Sequence, residues 1–178
     1  MAQSGSISVV PATTSSTSSV YNFTMRPQHS IPAYGLLQLQ VPADLSIAST
    51  AVIQSKCLYY LPATGSPLSQ FCTVSTTNGV TTINMTLSVA HSSGLSLKVS
   101  MQGFKNPRTK GATQSFIITS TAKDGSKIDV SSGTDFTVQM TSLQSLTSMS
   151  ITAANQTNGA TTSYLLTFVS PIALLNYD

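Results

Sequence analysis

The chain has 178 residues, of which 40% are apolar, enough to bury the core of one large or two small domains. Only 7% of the residues are charged, against roughly 25% in an ordinary soluble domain, and glutamate is absent. The net charge of +3 reflects scarce acids rather than a dense basic face, so nucleic acid is not expected as a partner.

Apolar and polar residues alternate with a period of two along the chain, and no window carries a clear helical stripe. The alternation is clearest at 37–41, 95–102 and 136–140. Further strands are predicted, in chain order, at 6–10, 19–25, 55–60, 70–75, 80–87, 114–121, 146–152 and 162–169. Turn signals such as Asn78-Gly79 and Asp124-Gly125 separate the strands. The predicted fold class is all-β, an Ig-like antiparallel β-sandwich.

The end of the chain repeats its beginning. Residues 148–168 reproduce the order of residues 6–25: an alternating strand, a loop rich in Ser and Thr, and an aromatic strand. Tyr164 stands where Tyr21 stands in the first copy, with one gap allowed in the loop. Repetition of this kind is typical of tandem arrays and head-to-tail polymers.

The repeat predicts two regions, a complete sandwich over 1–143 and an additional C-terminal β-hairpin over 144–178. An isolated hairpin is marginal in water, and this one repeats an apolar face without a full domain beneath it. The hairpin either packs on the first sheet or belongs to a following unit or a neighbouring subunit, and we favour the second alternative. The predicted assembly face consists of Tyr164, Leu166 and Phe168.

Two cysteines, Cys57 and Cys72, lie between strand-like segments. In an intracellular protein such residues are usually free core thiols. The surrounding composition is that of a secreted protein, which favours a disulfide between them. Closing a loop of this size contributes roughly 3 kcal/mol in the chain-entropy estimate.

Three segments match the acceptor pattern for N-glycosylation, and they begin at Asn22, Asn84 and Asn155. In the first two, the strand alternation turns the asparagine away from the apolar face, and the third lies in a turn rich in Gly and Thr. Ordinary surface asparagines are the alternative. The Ser/Thr run at 13–19 is either a carrier of O-linked sugars or a flexible polar loop.

Catalytic and metal-binding patterns are not found. The two histidines, His29 and His91, are expected in loops, and no nucleophile elbow, phosphate loop or zinc spacing occurs. Three aspartates near one predicted hairpin match no calcium loop, and solvation at strand ends is the preferred interpretation: Asp124, Asp129 and Asp135. We therefore expect neither an enzyme nor a cofactor or metal.

Targeting signals are also not evident in the sequence. Residues 1–5 lack the basic and apolar regions of a signal peptide. The most apolar stretch, 164–175, is interrupted by Ser170 and Pro171 and is much shorter than the roughly 20 residues of a membrane span. No membrane span is expected.

Short patterns in the second half resemble the repeat unit of very large extracellular proteins of ciliates and related protists. They are Gly103-Phe104-Lys105-Asn106-Pro107-Arg108, Ser115-Phe116-Ile117-Ile118-Thr119, and the Asp124-Gly125 turn before Ile128-Asp129. That unit also carries a central Cys pair and an Ile-Pro step after its aromatic strand, as at Ile31-Pro32; Pro171-Ile172 departs from this order in the second copy. The resemblance implies Ig-like surface-coat or fibre components and transfers no catalytic residue.

The sequence thus leads us to expect a structural subunit of an extracellular, glycosylated fibre or cell-surface coat. Its partner is expected to be another copy or a tandem neighbour, joined head to tail through terminal strands. The alternative is an adhesion module that binds carbohydrate or a receptor through its loops. Only Tyr34, Tyr59 and Tyr60 are candidates for that role, and they are expected in the core or in strands.

Overall fold

A computed structural model describes residues 4–131, 136–141, 147–159 and 161–169 of the chain. The described residues form fifteen strands and one short helix. The elements are β1 (Ser4–Val10), β2 (Ser19–Arg26), β3 (Leu36–Gln40), β4 (Ser46–Ile47), α1 (Thr50–Ser55), β5 (Cys57–Tyr60), β6 (Pro67–Ser69), β7 (Phe71–Thr77), β8 (Val80–Thr86), β9 (Leu97–Lys105), β10 (Gly111–Ala112), β11 (Ile117–Thr121), β12 (Lys127–Val130), β13 (Gln139–Met140), β14 (Thr147–Ala153) and β15 (Tyr164–Val169).

Two antiparallel sheets make up an all-β sandwich, as the alternating sequence predicts. The first sheet has the order β1-β2-β9-β5-β6, with β4 also paired to β9. The second sheet has the order β12-β11-β3-β8-β7. The strands form because one side chain in two is apolar, so each sheet buries one face and leaves the other in contact with water.

The core lies between the two sheets and is rich in aromatic rings. Tyr21 and Phe23 of β2 are fully buried, as are Phe104 of β9 and Phe116 just before β11. The ring centroids of Tyr21 and Phe104 are 4.4 Å apart, and Phe23 meets Phe116 edge to face at 5.1 Å. Because β2 and β9 contribute most of these rings, the first hairpin, β1–β2, is part of the core and not an appendage.

A disulfide joins the two sheets. Cys57 begins β5 in the first sheet and Cys72 lies in β7 at the edge of the second. The structure bonds them, with 6.3 Å between their Cα atoms, and both side chains are fully buried. The predicted cysteine pair is therefore present as a cross-link through the core.

Some element bounds differ from those predicted. The helix Thr50–Ser55 was not expected; Ser49 begins it by accepting a hydrogen bond from the Val52 amide through its side chain. Its close approach to β9 depends on Gly103, where φ is +113° and an added Cβ would touch Ile53. The strand expected at 136–140 is confined to Gln139–Met140, although the alternating side chains Phe136, Val138 and Met140 are buried.

The chain divides into two compact units, 1–142 and 143–178. The first contains the sandwich and the short pair β10–β13, and the second contains the antiparallel hairpin β14–β15. Among the residues that the structure describes, no helix has the length and apolar character needed to cross a membrane.

Candidate assembly site and glycan acceptors

The hairpin β14–β15 presents an apolar face to solvent. Ile151 pairs with Leu166 and Ala153 with Tyr164, and directly opposed residues lie on the same face of a sheet. Strand alternation adds Phe168 to this face. We call Ile151, Tyr164, Leu166 and Phe168 the hairpin face; their exposed fractions are 61%, 65%, 57% and 39%. The predicted assembly residues therefore lie together and uncovered within their unit.

The opposite face of the hairpin is more polar. Thr152 pairs with Leu165 and Ser150 with Thr167, so hydroxyl-bearing residues lie there beside Leu165 and Val169. Leu165 is 68% exposed, as much as any residue of the hairpin face. It provides a matched control position, because a change there alters exposed apolar area without touching the hairpin face.

The hairpin β14–β15, called the second hairpin from here on, shares its residue pattern with the first hairpin, β1–β2, but differs from it in register. In the first, Val9 pairs with Tyr21. In the second, Ile151 stands where Val9 stands, yet it pairs with Leu166, the counterpart of Phe23. The pairing is thus offset by two residues, and an even offset keeps every side chain on its original face. The repeat therefore preserves the apolar face even though the partners change.

A buried asparagine anchors the first hairpin to the sandwich. Asn106, at the end of β9, accepts a hydrogen bond from the Tyr21 hydroxyl at 3.0 Å. Its amide group donates to the carbonyl oxygens of Pro11 and Thr13, at 2.9 and 2.7 Å, in the loop that joins β1 to β2. Burial, with a smaller contribution from the charge of Asp44, raises the pKa of the Tyr21 phenol, so the hydroxyl stays protonated as a donor.

The three glycan acceptors differ in exposure. Asn155 is exposed in the loop between β14 and β15, where its side-chain oxygen accepts a hydrogen bond from the Thr157 amide. Asn22 and Asn84 are half-buried on the outward faces of β2 and β8. The side-chain oxygen of Asn84 also accepts a hydrogen bond from the Gln38 side chain at 3.1 Å. Glycosylation at all three stays a prediction.

His91 lies in the loop between β8 and β9, as the sequence predicts, but it is not solvent-exposed. It is fully buried and forms an isolated bridge with Ile31. Its Nδ1 lies 2.9 Å from the Tyr59 hydroxyl, and its Nε2 lies 3.1 Å from the carbonyl oxygen of Leu95. Nε2 must donate to that carbonyl, which makes Nδ1 the acceptor of the Tyr59 proton in the neutral ring. Burial lowers the pKa of His91, although the Leu95 carbonyl opposes this effect.

His29 and Asp129 form a second polar contact. Asp129 is buried and accepts hydrogen bonds from the His29 ring at 2.8 Å and from the backbone amides of His29 and Gln28. Burial by itself raises the pKa of Asp129, but these hydrogen bonds together outweigh it and lower the pKa. Both contacts fix the segment after β2.

Two of the three aspartates have hydrogen-bond partners within the protein. Asp124 caps a turn by accepting hydrogen bonds from Ser126, while Asp129 is occupied by His29; Asp135 lies outside the described residues. No group of three or more metal-binding side chains occurs among the described residues.

A shallow groove of about 270 Å³ lies on the outer face of the first sheet. Thr24, Lys98 and Tyr60 are register partners on the adjacent strands β2, β9 and β5, and they line it together with Asn22. Gly65, in the loop after β5, closes one side.

Tyr34, which the sequence predicts in the core or in a strand, is instead 60% exposed in a turn with φ of +63°.

No known family model matches the chain, and neither does any curated protein sequence.

Proposed function

We propose that this protein is a non-catalytic structural subunit of an extracellular fibre or surface coat, which assembles with other copies through the hairpin β14–β15. The observation that carries the proposal is the hairpin face, four large apolar side chains that are 39–65% exposed in one patch. Fully burying a side chain of this size contributes about 1.5–3 kcal/mol, so covering the patch is a strong drive for association.

We also propose that the sandwich is Ig-like, and its strand order supports this. Taken in chain order, β1, β2, β3, β5, β9, β11 and β12 correspond to strands A to G of an Ig sandwich. The first sheet then has the order A-B-E-D and the second G-F-C. The strands β6, β7 and β8 are an insertion between D and E.

The extracellular assignment is supported by the chemistry of the chain. A disulfide between the sheets persists in oxidising compartments and is rare in the cytosol. The surface is polar mainly through hydroxyl groups, since Ser and Thr number 30 and 25 residues and charged residues are few. N-glycans on Asn22, Asn84 and Asn155 are part of the proposal, and mass spectrometry of the native protein tests each acceptor separately.

Self-association tests the proposal directly. The wild-type chain is concentrated, unfolded by heat and refolded, and its size is then measured by sedimentation velocity and electron microscopy. We expect oligomers for the wild type and for Leu165→Ser, and their loss for Leu166→Ser, because only Leu166 lies on the hairpin face. A wild-type chain that stays monomeric throughout, or equal behaviour of the two variants, would overturn the proposal.

A second function, carbohydrate binding in adhesion, is favoured by the groove on the first sheet. It combines the half-buried ring of Tyr60 with the hydroxyl, amide and ammonium groups of Thr24, Asn22 and Lys98. Its volume is close to the lower end of the roughly 300–1,000 Å³ of small-molecule sites. If glycan-array binding is lost in Tyr60→Ala but kept in Tyr34→Ala, adhesion is supported; absence of binding by the wild type contradicts it.

A further inference from the structure

Two hairpins of one design lie in opposite environments in this chain. In the first, Tyr21, Phe23 and Met25 are fully buried. In the second, Tyr164 and Leu166 are 65% and 57% exposed. What covers the first hairpin is therefore a direct indication of what the second requires.

Three kinds of contact hold the first hairpin in the sandwich: strand pairing, ring packing and one side-chain hydrogen bond. Strand β2 pairs along β9, from Met25 opposite Leu97 to Val20 opposite Gln102. Phe104 and Phe116 contact the Tyr21 ring, at centroid distances of 4.4 and 5.8 Å. Asn106 then accepts a hydrogen bond from the Tyr21 hydroxyl.

The second hairpin carries the matching groups. Tyr164 stands where Tyr21 stands and keeps the phenolic hydroxyl that Asn106 recognises. Leu166 and Phe168 replace Phe23 and Met25 with other large apolar side chains, so the row remains apolar over the same three alternate positions.

We infer that the hairpin β14–β15 docks in the β1–β2 position of a second copy of this chain, with β15 paired to β9 and the Tyr164 hydroxyl on Asn106. This inference rests on the proposed assembly function and names the site on the second copy that receives the hairpin. The join is heterologous, because the end of one copy enters the beginning of the next, and it leads to open chains of copies.

Each chain has two hairpins with the repeated pattern, β1–β2 and β14–β15, and one such place in its sandwich, so these two hairpins compete. The first hairpin has the advantage of its covalent connection to the sandwich and of the Phe23 ring, which meets Phe116 edge to face. Docking of a second copy therefore requires that the first hairpin leaves. The first hairpin thus occupies the docking place. Assembly proceeds where this hairpin is loosened, removed or exchanged during folding for the second hairpin of another copy.

Disulfide trapping in the full chain tests the docking geometry. Ser163 stands where Val20 stands, and Val20 is the register partner of Gln102. A chain with Gln102→Cys and Ser163→Cys is unfolded and refolded at high concentration without reductant, and then oxidised. We expect a ladder of disulfide-linked copies. The matched control joins Ser163→Cys to Thr76→Cys, an exposed position on β7 of the other sheet, and should lack the ladder.

A background substitution tests the competition between the hairpins. Phe23→Ser weakens the packing of the first hairpin, so it should increase the amount of disulfide-linked ladder formed by the Gln102/Ser163 pair. Adding Leu166→Ser should abolish the ladder. If Phe23→Ser prevents folding altogether, the ladder of the Gln102/Ser163 pair without this substitution still tests the docking inference. Absence of that ladder, an equal ladder in the control, or a cross-link within one chain overturns the docking inference. Self-association that depends on Leu166 without this ladder overturns the docking alone and leaves the assembly function standing.

Discussion

Replacing Asn106 by alanine should destabilise the sandwich more than any exposed substitution, because one buried amide makes three hydrogen bonds that hold the first hairpin to the end of β9. It accepts a hydrogen bond from the Tyr21 hydroxyl in β2 and donates to the carbonyl oxygens of Pro11 and Thr13. The alanine leaves one donor and two acceptors without their partner. The first hairpin should loosen first, since all three partners belong to it or to its loop.

The size of the loss follows from the burial of each partner. A buried polar group left without a hydrogen bond costs about 1–3 kcal/mol, and the fully buried Tyr21 hydroxyl falls in this range. Pro11 is exposed and Thr13 half-buried, so water replaces the amide at their carbonyls at a cost of about 0.5 kcal/mol each. The free energy of unfolding should fall by about 2–4 kcal/mol, a large part of the 5–15 kcal/mol of a typical domain.

Urea denaturation at equilibrium measures this loss. We expect a lower midpoint for Asn106→Ala with an unchanged slope, and a change within about 0.5 kcal/mol for the exposed control Asn155→Ala. Tyr21→Phe breaks the same hydrogen bond from its other end, so the double variant should lose less than the two single losses added together. Additive losses, or a change in Asn106→Ala as small as in the control, would refute the role given to this amide.

Replacing both Cys57 and Cys72 by alanine opens a loop of sequence separation 15 and should lower the free energy of unfolding by about 3 kcal/mol in urea denaturation. Stability should fall as the pH drops below about 6.5, the pKa of an unfolded histidine, because burial lowers the pKa of His91 and protons then bind the unfolded chain more tightly. A thermal-unfolding profile that is flat between pH 7 and 5 contradicts this. Asp129→Asn should cost about 1–3 kcal/mol at pH 7. That difference should shrink below about pH 4, because the lowered pKa of Asp129 gives stability that is lost when acid protonates the carboxylate.

Local pattern in the sequence was sufficient for the fold class. The alternation of Tyr21, Phe23 and Met25 with polar residues predicts the buried face of β2, and the structure confirms it. Short elements were harder. The helix Thr50–Ser55 has six residues and a single buried side chain, Ile53, so it has no apolar stripe that a periodicity can reveal.

The polar residues of the core could not be predicted, because their partners are far away in the sequence. His91 bonds to Tyr59 over a separation of 32 residues, and Asn106 bonds to Tyr21 over 85. The segment around His91, with Ser92, Ser93 and Gly94, has the composition of a loop, and only the topology brings it against the Tyr59 ring. A polar residue between apolar strands has no periodic signal of its own.

The environment of Tyr21 and Tyr164 explains why the repeated segment has two outcomes within one chain. Local sequence makes both segments hairpins, since strand alternation and a polar loop are sufficient for that. Burial depends on the rest of the sandwich. One edge of β9 is open to a hairpin, because β5 pairs with the other edge, and Phe104, Phe116 and Asn106 surround the place of a single tyrosine. One sandwich therefore covers one of these two hairpins, and the apolar face of the other, β14–β15, is 39–65% exposed. That surplus of one hairpin per chain is the physical reason to expect association.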